Sequence, residues 1–158
     1  GYPKTMRGTE SEQTKKIISI KEDLEKKIND KQSFRLNLLD LNHLKYINDH
    51  FGHNVGDEAI KLIYNTLESA FRDIGTSYRI GGDEFAVIIN DINPEINANA
   101  IDEFNQNLSN INKHFIHPLK VAIGTDIYTP DKWEHFSKFY HHVDQKMYED
   151  KTKIKSAE

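Results

Sequence analysis

The chain contains no cysteine in its 158 residues. Disulfides, thiolate catalysis and cysteine-ligated zinc are therefore excluded. It also has no apolar run long enough to cross a bilayer, no signal-peptide pattern and no low-complexity segment. Positive charge is not in surplus. Lysine and arginine number 21 against 25 acids, a formal net charge of −4 that argues against a general nucleic-acid binder. Any phosphate-bearing ligand must then be held by local lysines, a metal ion or backbone amides. What remains is ordinary for a globular protein, at 37% hydrophobic and 29% charged with four prolines. The length suits one domain with a core of its own. The expectation is a soluble, cytoplasmic domain.

Read in order, residues 1–13 are polar and without periodicity, a linker or domain edge, which leaves 14–158 as the domain. Ile17, Ile20, Leu24 and Ile28 recur at helical spacing and predict an amphipathic helix over 14–30. Residues 33–41 read as a strand whose alternation slips at Leu38-Leu39, so the face used by Asp40 stays open. Asn42 is placed to cap a short helix over 43–49, which Gly52 ends. Residues 54–56 read as a loop and 57–72 as a second amphipathic helix. A hairpin follows, 77–80 and 85–90, then a helix over 95–114 after Asn93-Pro94. A strand over 118–123 is closed by Gly124, and a last helix runs over 131–151. Its Trp133, Phe136 and Tyr140 are expected in the core. The order after the first helix, βααββαβ, predicts an α+β fold with a ferredoxin-like central sheet and helices packed around it.

The hairpin carries the chemistry. Its turn holds Gly81-Gly82 followed at once by Asp83-Glu84, ahead of an apolar strand. A Gly-Gly pair there reads as a tight turn with positive φ. Carboxylates at the mouth of an apolar strand are costly unless something positive meets them. Two like charges about 4 Å apart repel by roughly 4 kcal/mol at an effective dielectric of about 20. A divalent cation reverses that sign, and Mg²⁺ favours one or two carboxylates plus phosphate oxygens. A solvated hairpin tip has the same composition, so this segment alone leaves both readings open.

Residues 39–57 separate them. A strand delivers Asp40 to its end, Lys45 follows on the next helix, and Asn48 and Asp57 flank a glycine-containing stretch. These groups fit one nucleotide site. Asp40 can share a cation with Asp83, helix-start amides can hold phosphates, and Asn48 with Asp57 can read a base edge. A carboxylate accepts from donor edges, which favours guanine over adenine.

With both segments in view, the chain closely resembles the GGDEF family, the diguanylate cyclases, which condense two GTP into cyclic di-GMP. The motifs are Asp-Leu-Asn-His-Leu-Lys-x-Ile-Asn-Asp-x-Phe-Gly-His-x-x-Gly-Asp from Asp40 to Asp57, and Arg-x-Gly-Gly-Asp-Glu-Phe from Arg79 to Phe85. The resemblance extends from about Thr14 to Lys155. It implies Mg²⁺, with Mn²⁺ as an alternative, held by Asp40, Asp83, Glu84 and the backbone carbonyl of Leu41. It implies Asp83 as the base for the 3′-hydroxyl, with Glu84 beside it and Lys45 stabilising phosphate charge. Asn48, His53 and Asp57 would line the substrate. Residues 143–151 are similar to the family's Ala-Asp-x-Ala-Leu-Tyr-x-Ala-Lys, making Lys151 a phosphate ligand. One domain holds one GTP, so a homodimer is implied. An upstream sensor domain is implied as well, with no nucleic acid and no membrane contact by this domain.

The departures are peripheral. Residues 4–12 stand where the family has Asp-x-Leu-Thr-Gly-Leu-x-Asn-Arg, and of that motif only Gly8 clearly survives. The family's product-inhibition pattern, Arg-x-x-Asp, reads Arg72-Asp73-Ile74-Gly75, so no tight feedback binding is expected there. Asn42, Ala122 and Ile154 replace the usual Asp, Ser and Gly. The eight histidines show no metal-ligand spacing and, His53 apart, read as solvated surface groups. Lys151, Lys153 and Lys155 also fit a solvated tail. Two functions follow: an active cyclase, or a weakly active or silent domain that binds GTP or a partner as a regulatory module.

Overall fold

A computed structural model describes residues 10–158, with side chains from Ile20 onward. Its elements are α1 (Glu10–Asn29), β1 (Phe34–Leu41), α2 (Leu44–Phe51), α3 (His53–Phe71), β2 (Gly75–Arg79), β3 (Glu84–Ile89), α4 (Pro94–Asn112), β4 (Val121–Tyr128) and α5 (Phe136–Ser156). Four strands form one sheet in the order β2-β3-β1-β4, every neighbouring pair antiparallel. The α+β, ferredoxin-like arrangement expected from the element order is the one observed. No helix among the described residues is long and apolar enough to cross a membrane.

Helices cover both faces of the sheet, and that explains the unreadable strand. All eight residues of β1 are buried. Leu39 and Leu41 join a core with Ile47, Ile60, Ile63, Leu67 and Phe104 of α2, α3 and α4. Phe34, Leu36 and Leu38 join a second core with Ile20 and Leu24 of α1 and with Phe139, Val143 and Met147 of α5. A strand buried on both sides has no polar face to alternate with. Asp40 shares the α1/α5 face with Leu36 and Leu38. Trp133, Phe136 and Tyr140 pack, partly buried, against that second core, as expected.

Several expected boundaries shift, each for a physical reason. The first helix starts at Glu10 rather than 14, and residues 1–9, with most of the degraded N-terminal motif, lie outside the described residues. Asn42 does not cap α2. The N-cap is His43, in the left-handed region at φ 63°, while Asn42 is buried with both amide atoms unpartnered. Residues 54–56 are helical, because α3 begins directly after Gly52, whose φ is 93°. The fourth strand begins at Val121, three residues late, and passes through Gly124 to Tyr128. A Cβ on Gly124 would come within 2.3 Å of the Val143 carbonyl oxygen and 2.4 Å of the Met147 amide nitrogen. Gly124 therefore lets strand and helix backbones touch, and it does not terminate the strand. Residues 129–133 form a turn, so α5 starts at Phe136 and carries Lys153 and Lys155 on helix, not on a tail.

The edge strand β4 is shielded by side chains. The Ile123 amide donates to Asp150 at 2.8 Å, the Ile127 amide to Asp126 at 2.7 Å, and Lys146 to the Thr125 carbonyl at 3.4 Å. Occupied edge groups cannot template another strand.

Candidate functional site

The site lies where β1 ends and β3 begins. Antiparallel register sets Asp40 directly opposite Glu84. The turn between β2 and β3 is pinned at three points. The Leu41 amide donates to the Asp83 carbonyl at 2.8 Å, the Ile80 amide donates to the Glu84 carbonyl at 3.0 Å, and Arg79 spans the loop. Its Nε donates to the Gly81 carbonyl at 3.1 Å and its Nη2 to the Gly82 carbonyl at 2.8 Å. Burial lowers the Arg79 guanidinium, with Asp83 opposing, to about 10, so it stays charged at neutral pH.

The glycines behave differently from the expectation. The connection has four residues, 80–83, one earlier than the expected bounds give, and neither Gly81 nor Gly82 takes up left-handed φ. A four-residue loop spreads the reversal over several torsions. A Cβ on Gly82 would meet nothing within 4 Å, and one on Gly81 would make only ordinary contact with Glu84. Nothing inside the fold requires glycine at either place.

Three carboxylates converge here. One oxygen from each of Asp40, Asp83 and Glu84 lies within 4.8 Å of the others, a group able to hold a metal ion. Asp40 is buried, its Oδ2 accepts from Lys151 Nζ at 2.9 Å, and its Oδ1 has no partner. Burial pushes the Asp40 carboxyl up; Lys151 opposes the shift and Asp83 adds to it. Glu84 is raised by burial first, then by Asp40, Asp83 and Asp144. Lys151 is raised chiefly by its bond to Asp40. The cluster carries more negative charge than its one lysine neutralises.

The other expected residues stand on the neighbouring helices. Lys45 is exposed on α2 and makes no ion pair among the described residues. His53 is exposed at the first position of α3, and Asp57, half-buried one turn later, is raised by burial against the pull of His53 and Lys61. Asn48, half-buried on α2, lies against Gly56, the residue before Asp57. The structure thus joins Asp40, Asp83, Glu84 and Lys151 by direct proximity, and Asn48 to the turn bearing Asp57. Two groups were not singled out from sequence. Arg79 fixes the turn, and the only available signal was an arginine two residues before the glycine pair. Tyr140 shares a cavity wall with Glu84, and its helical spacing had marked it as core alone. The histidines are not uniformly solvated: His142 is half-buried with Nε2 2.7 Å from Asp126, and His43 Nε2 lies 2.7 Å from Glu158.

Comparisons with known proteins give the family and the fold. The family described as "Diguanylate cyclase, GGDEF domain" matches residues 18–157. The chain is 32% identical over 118 residues to the probable diguanylate cyclase DgcT of Escherichia coli, covering 72% of this chain and 26% of that protein. It is 47% identical over 57 residues to the diguanylate cyclase VdcA of Vibrio cholerae, covering 36% and 17%. Among solved structures, the diguanylate cyclase SiaD of Pseudomonas aeruginosa, in complex with its activator SiaC, superposes with a TM-score of 0.72 at 20% identity. That match covers 87% of this chain and 53% of SiaD. The GGDEF domain of DgcB from Caulobacter crescentus, in complex with c-di-GMP, gives 0.68 at 21% identity, covering 82% and 78%. These structures share the fold. The chain spans about a quarter of the length of DgcT and of DgcJ, probable diguanylate cyclases of Escherichia coli. With a family match over residues 18–157 and the Asp40, Asp83 and Glu84 cluster in place, the chain belongs to the diguanylate cyclase GGDEF domain family.

Proposed function

We propose that this domain is the catalytic unit of a diguanylate cyclase, joining two GTP molecules into cyclic di-GMP with release of pyrophosphate. The observation that carries the reading is the convergence of Asp40, Asp83 and Glu84 within 4.8 Å, with Lys151 bonded to the first. A hard divalent cation, Mg²⁺ or alternatively Mn²⁺, fits this donor set, which is all oxygen and under-neutralised, with one buried Asp40 oxygen left unpartnered. Its ligands would be Asp40, Asp83, Glu84 and the Leu41 carbonyl. Bound there, the metal supplies charge neutralisation at the phosphates and lowers the pKa of an attacking hydroxyl.

The chain's own residues do the rest. Lys45 and Lys151 hold phosphate oxygens and stabilise the charge of the transition state. Asn48, His53 and Asp57 orient the guanosine. The glycines of the turn, unneeded by the fold, leave its outer surface bare so that substrate lies against backbone. The 3′-oxygen of one GTP bonds to the α-phosphorus of the other as the bond from that phosphorus to pyrophosphate breaks. The hydroxyl proton passes to Asp83, and the electron pair leaves with pyrophosphate. One domain presents one GTP, so two copies face each other and react twice. The relatives' greater length supports a further, sensory domain in the whole protein.

Product feedback through Arg72 and Gly75 is absent in this reading. A Cβ on Gly75 would lie 2.6 Å from the Ile88 carbonyl oxygen, so that position holds no carboxylate. The test is GTP turnover with Mg²⁺ at high protein concentration, products separated by chromatography, with Asp83→Ala alongside. Cyclic di-GMP from the wild type and none from the variant is the expected result. Folded, concentrated wild-type protein that binds GTP yet forms no product would replace the cyclase with a nucleotide-binding regulatory module.

A further inference from the structure

We infer that Gly56 is a positioning residue for base selection: having no side chain, it leaves the space the Asn48 carboxamide needs to stand beside Asp57. The inference rests on the reading of Asn48 and Asp57 as guanosine contacts. The helices α2 and α3 are joined by Gly52 alone, so they pack tightly and in a fixed relation. Gly56 is buried in the first turns of α3, its amide donating to the Gly52 carbonyl at 3.2 Å. A Cβ built on it would fall 1.7 Å from Asn48 Oδ1, 2.8 Å from Asn48 Cγ and 3.4 Å from Leu44 Cδ1.

Two explanations for glycine at this position can be separated. The first is conformational freedom, but Gly56 is helical and lacks the left-handed φ that Gly52 has. A helix would be more stable with alanine there. The second is space, and the space is filled by one side chain, the Asn48 carboxamide. Even one methyl group at 56 would drive that carboxamide out of its place. Because Asp57 follows Gly56 directly, the missing side chain sets how closely an amide and a carboxylate stand. An amide beside a carboxylate presents both donor and acceptor to one base edge. Gly56 therefore governs base selection without touching the base. The phosphate and metal half of the site, on β1, the hairpin and α5 with Lys45 of α2, supplies none of the atoms that a Cβ on Gly56 would meet.

The experiment compares wild type, Gly56→Ala, Asn48→Ala and the double variant. Binding of 3′-deoxy-GTP, which lacks the attacking hydroxyl, and of pyrophosphate is titrated calorimetrically with Mg²⁺, and thermal unfolding is followed for each. Gly56→Ala is expected to weaken 3′-deoxy-GTP by about tenfold or more and leave pyrophosphate within about twofold. The double variant should bind the nucleotide no more weakly than Asn48→Ala, since the two act through one contact. Gly56→Ala should raise Tm only in the Asn48→Ala background, where the space is open. Wild-type nucleotide affinity in Gly56→Ala, or losses that add in the double variant, would overturn the inference while leaving the cyclase reading standing. Failure of the wild type itself to bind nucleotide would overturn both.

Discussion

Two aspartates on one face of the sheet meet the same helix and are shifted in opposite directions. At one end, Asp126 of β4 is met by the Ile127 amide at 2.7 Å, His142 at 2.7 Å and Lys146 at 3.2 Å. Burial pushes its carboxyl up, but these three donors outweigh it and bring it down to about 2. At the other end, Asp40 of β1 has one cation, Lys151, two neighbouring carboxylates and an unpartnered oxygen; burial first, with Asp83 adding, holds it above its ordinary value against the pull of Lys151. Both sites draw their cations from α5. The first is closed on itself: every charge has its partner within the fold, and it shields the strand edge. The second is left open, and a divalent cation bound there would offset the repulsion among its carboxylates. That surplus of like charge at one end of the sheet is what supports a cation site there.

The largest way to break this contrast is Asp83→Ala. It removes a metal ligand and the proposed base together, and product formation should fall on the order of a thousandfold or more. Chromatographic quantification of cyclic di-GMP checks it, and retained turnover would remove Asp83 from the chemistry. Next is Asp126→Ala, which strips partners from the Ile127 amide, His142 and Lys146. It should cost about 1–3 kcal/mol in urea unfolding, with GTP binding unchanged. A variant as stable as wild type would show that the closed cluster contributes nothing to the fold.

A smaller effect sharpens the contrast through pH. Asp126 is depressed, so its contribution is full above the unfolded value near 3.8 and is lost as pH falls through about 2. Asp40 and Glu84 are raised, so the folded state holds their protons more tightly than the unfolded chain does. Their stability contribution therefore declines as pH rises through their folded values and recovers on acidification. Without divalent metal, Tm should rise as pH falls through the raised values of Asp40 and Glu84 and then fall once Asp126 begins to protonate. Scanning Tm against pH in chelator tests this, and Asp126→Ala should keep the rise while weakening the fall. A monotonic decline from neutrality in wild type would contradict the raised carboxyls.

Much of this was legible from residue types alone. Asp40, Asn48, Asp57, Asp83 and Glu84, with Lys45 beside them, could be assembled from residue type and order, whereas Lys151 came only from the resemblance of residues 143–151 to the family's signature; the element order led to the correct sheet. What the sequence could not carry was contact across the fold. The face of Asp40 was hidden because β1 is buried on both sides. Gly124 and Gly56 looked like breaks, since local reading treats glycine as punctuation. Their reason lies in backbone and side chains that come from elsewhere in the fold. Gly81 and Gly82 looked like a conformational necessity, yet the loop adopts no left-handed φ at either. Asn42 looked like a cap because position favours it, while the structure buries it and puts His43 there.

The most direct test of an open, ligand-seeking carboxylate cluster is thermal unfolding of wild type and Asp40→Asn, each in chelator and in saturating Mg²⁺. If repulsion at Asp40 is relieved by a bound cation, wild type should gain stability with Mg²⁺. Asp40→Asn should be at least as stable as wild type in chelator, with little or no response to the metal. An Asp40→Asn protein that is markedly less stable in chelator, or that responds to Mg²⁺ as wild type does, would contradict the claim.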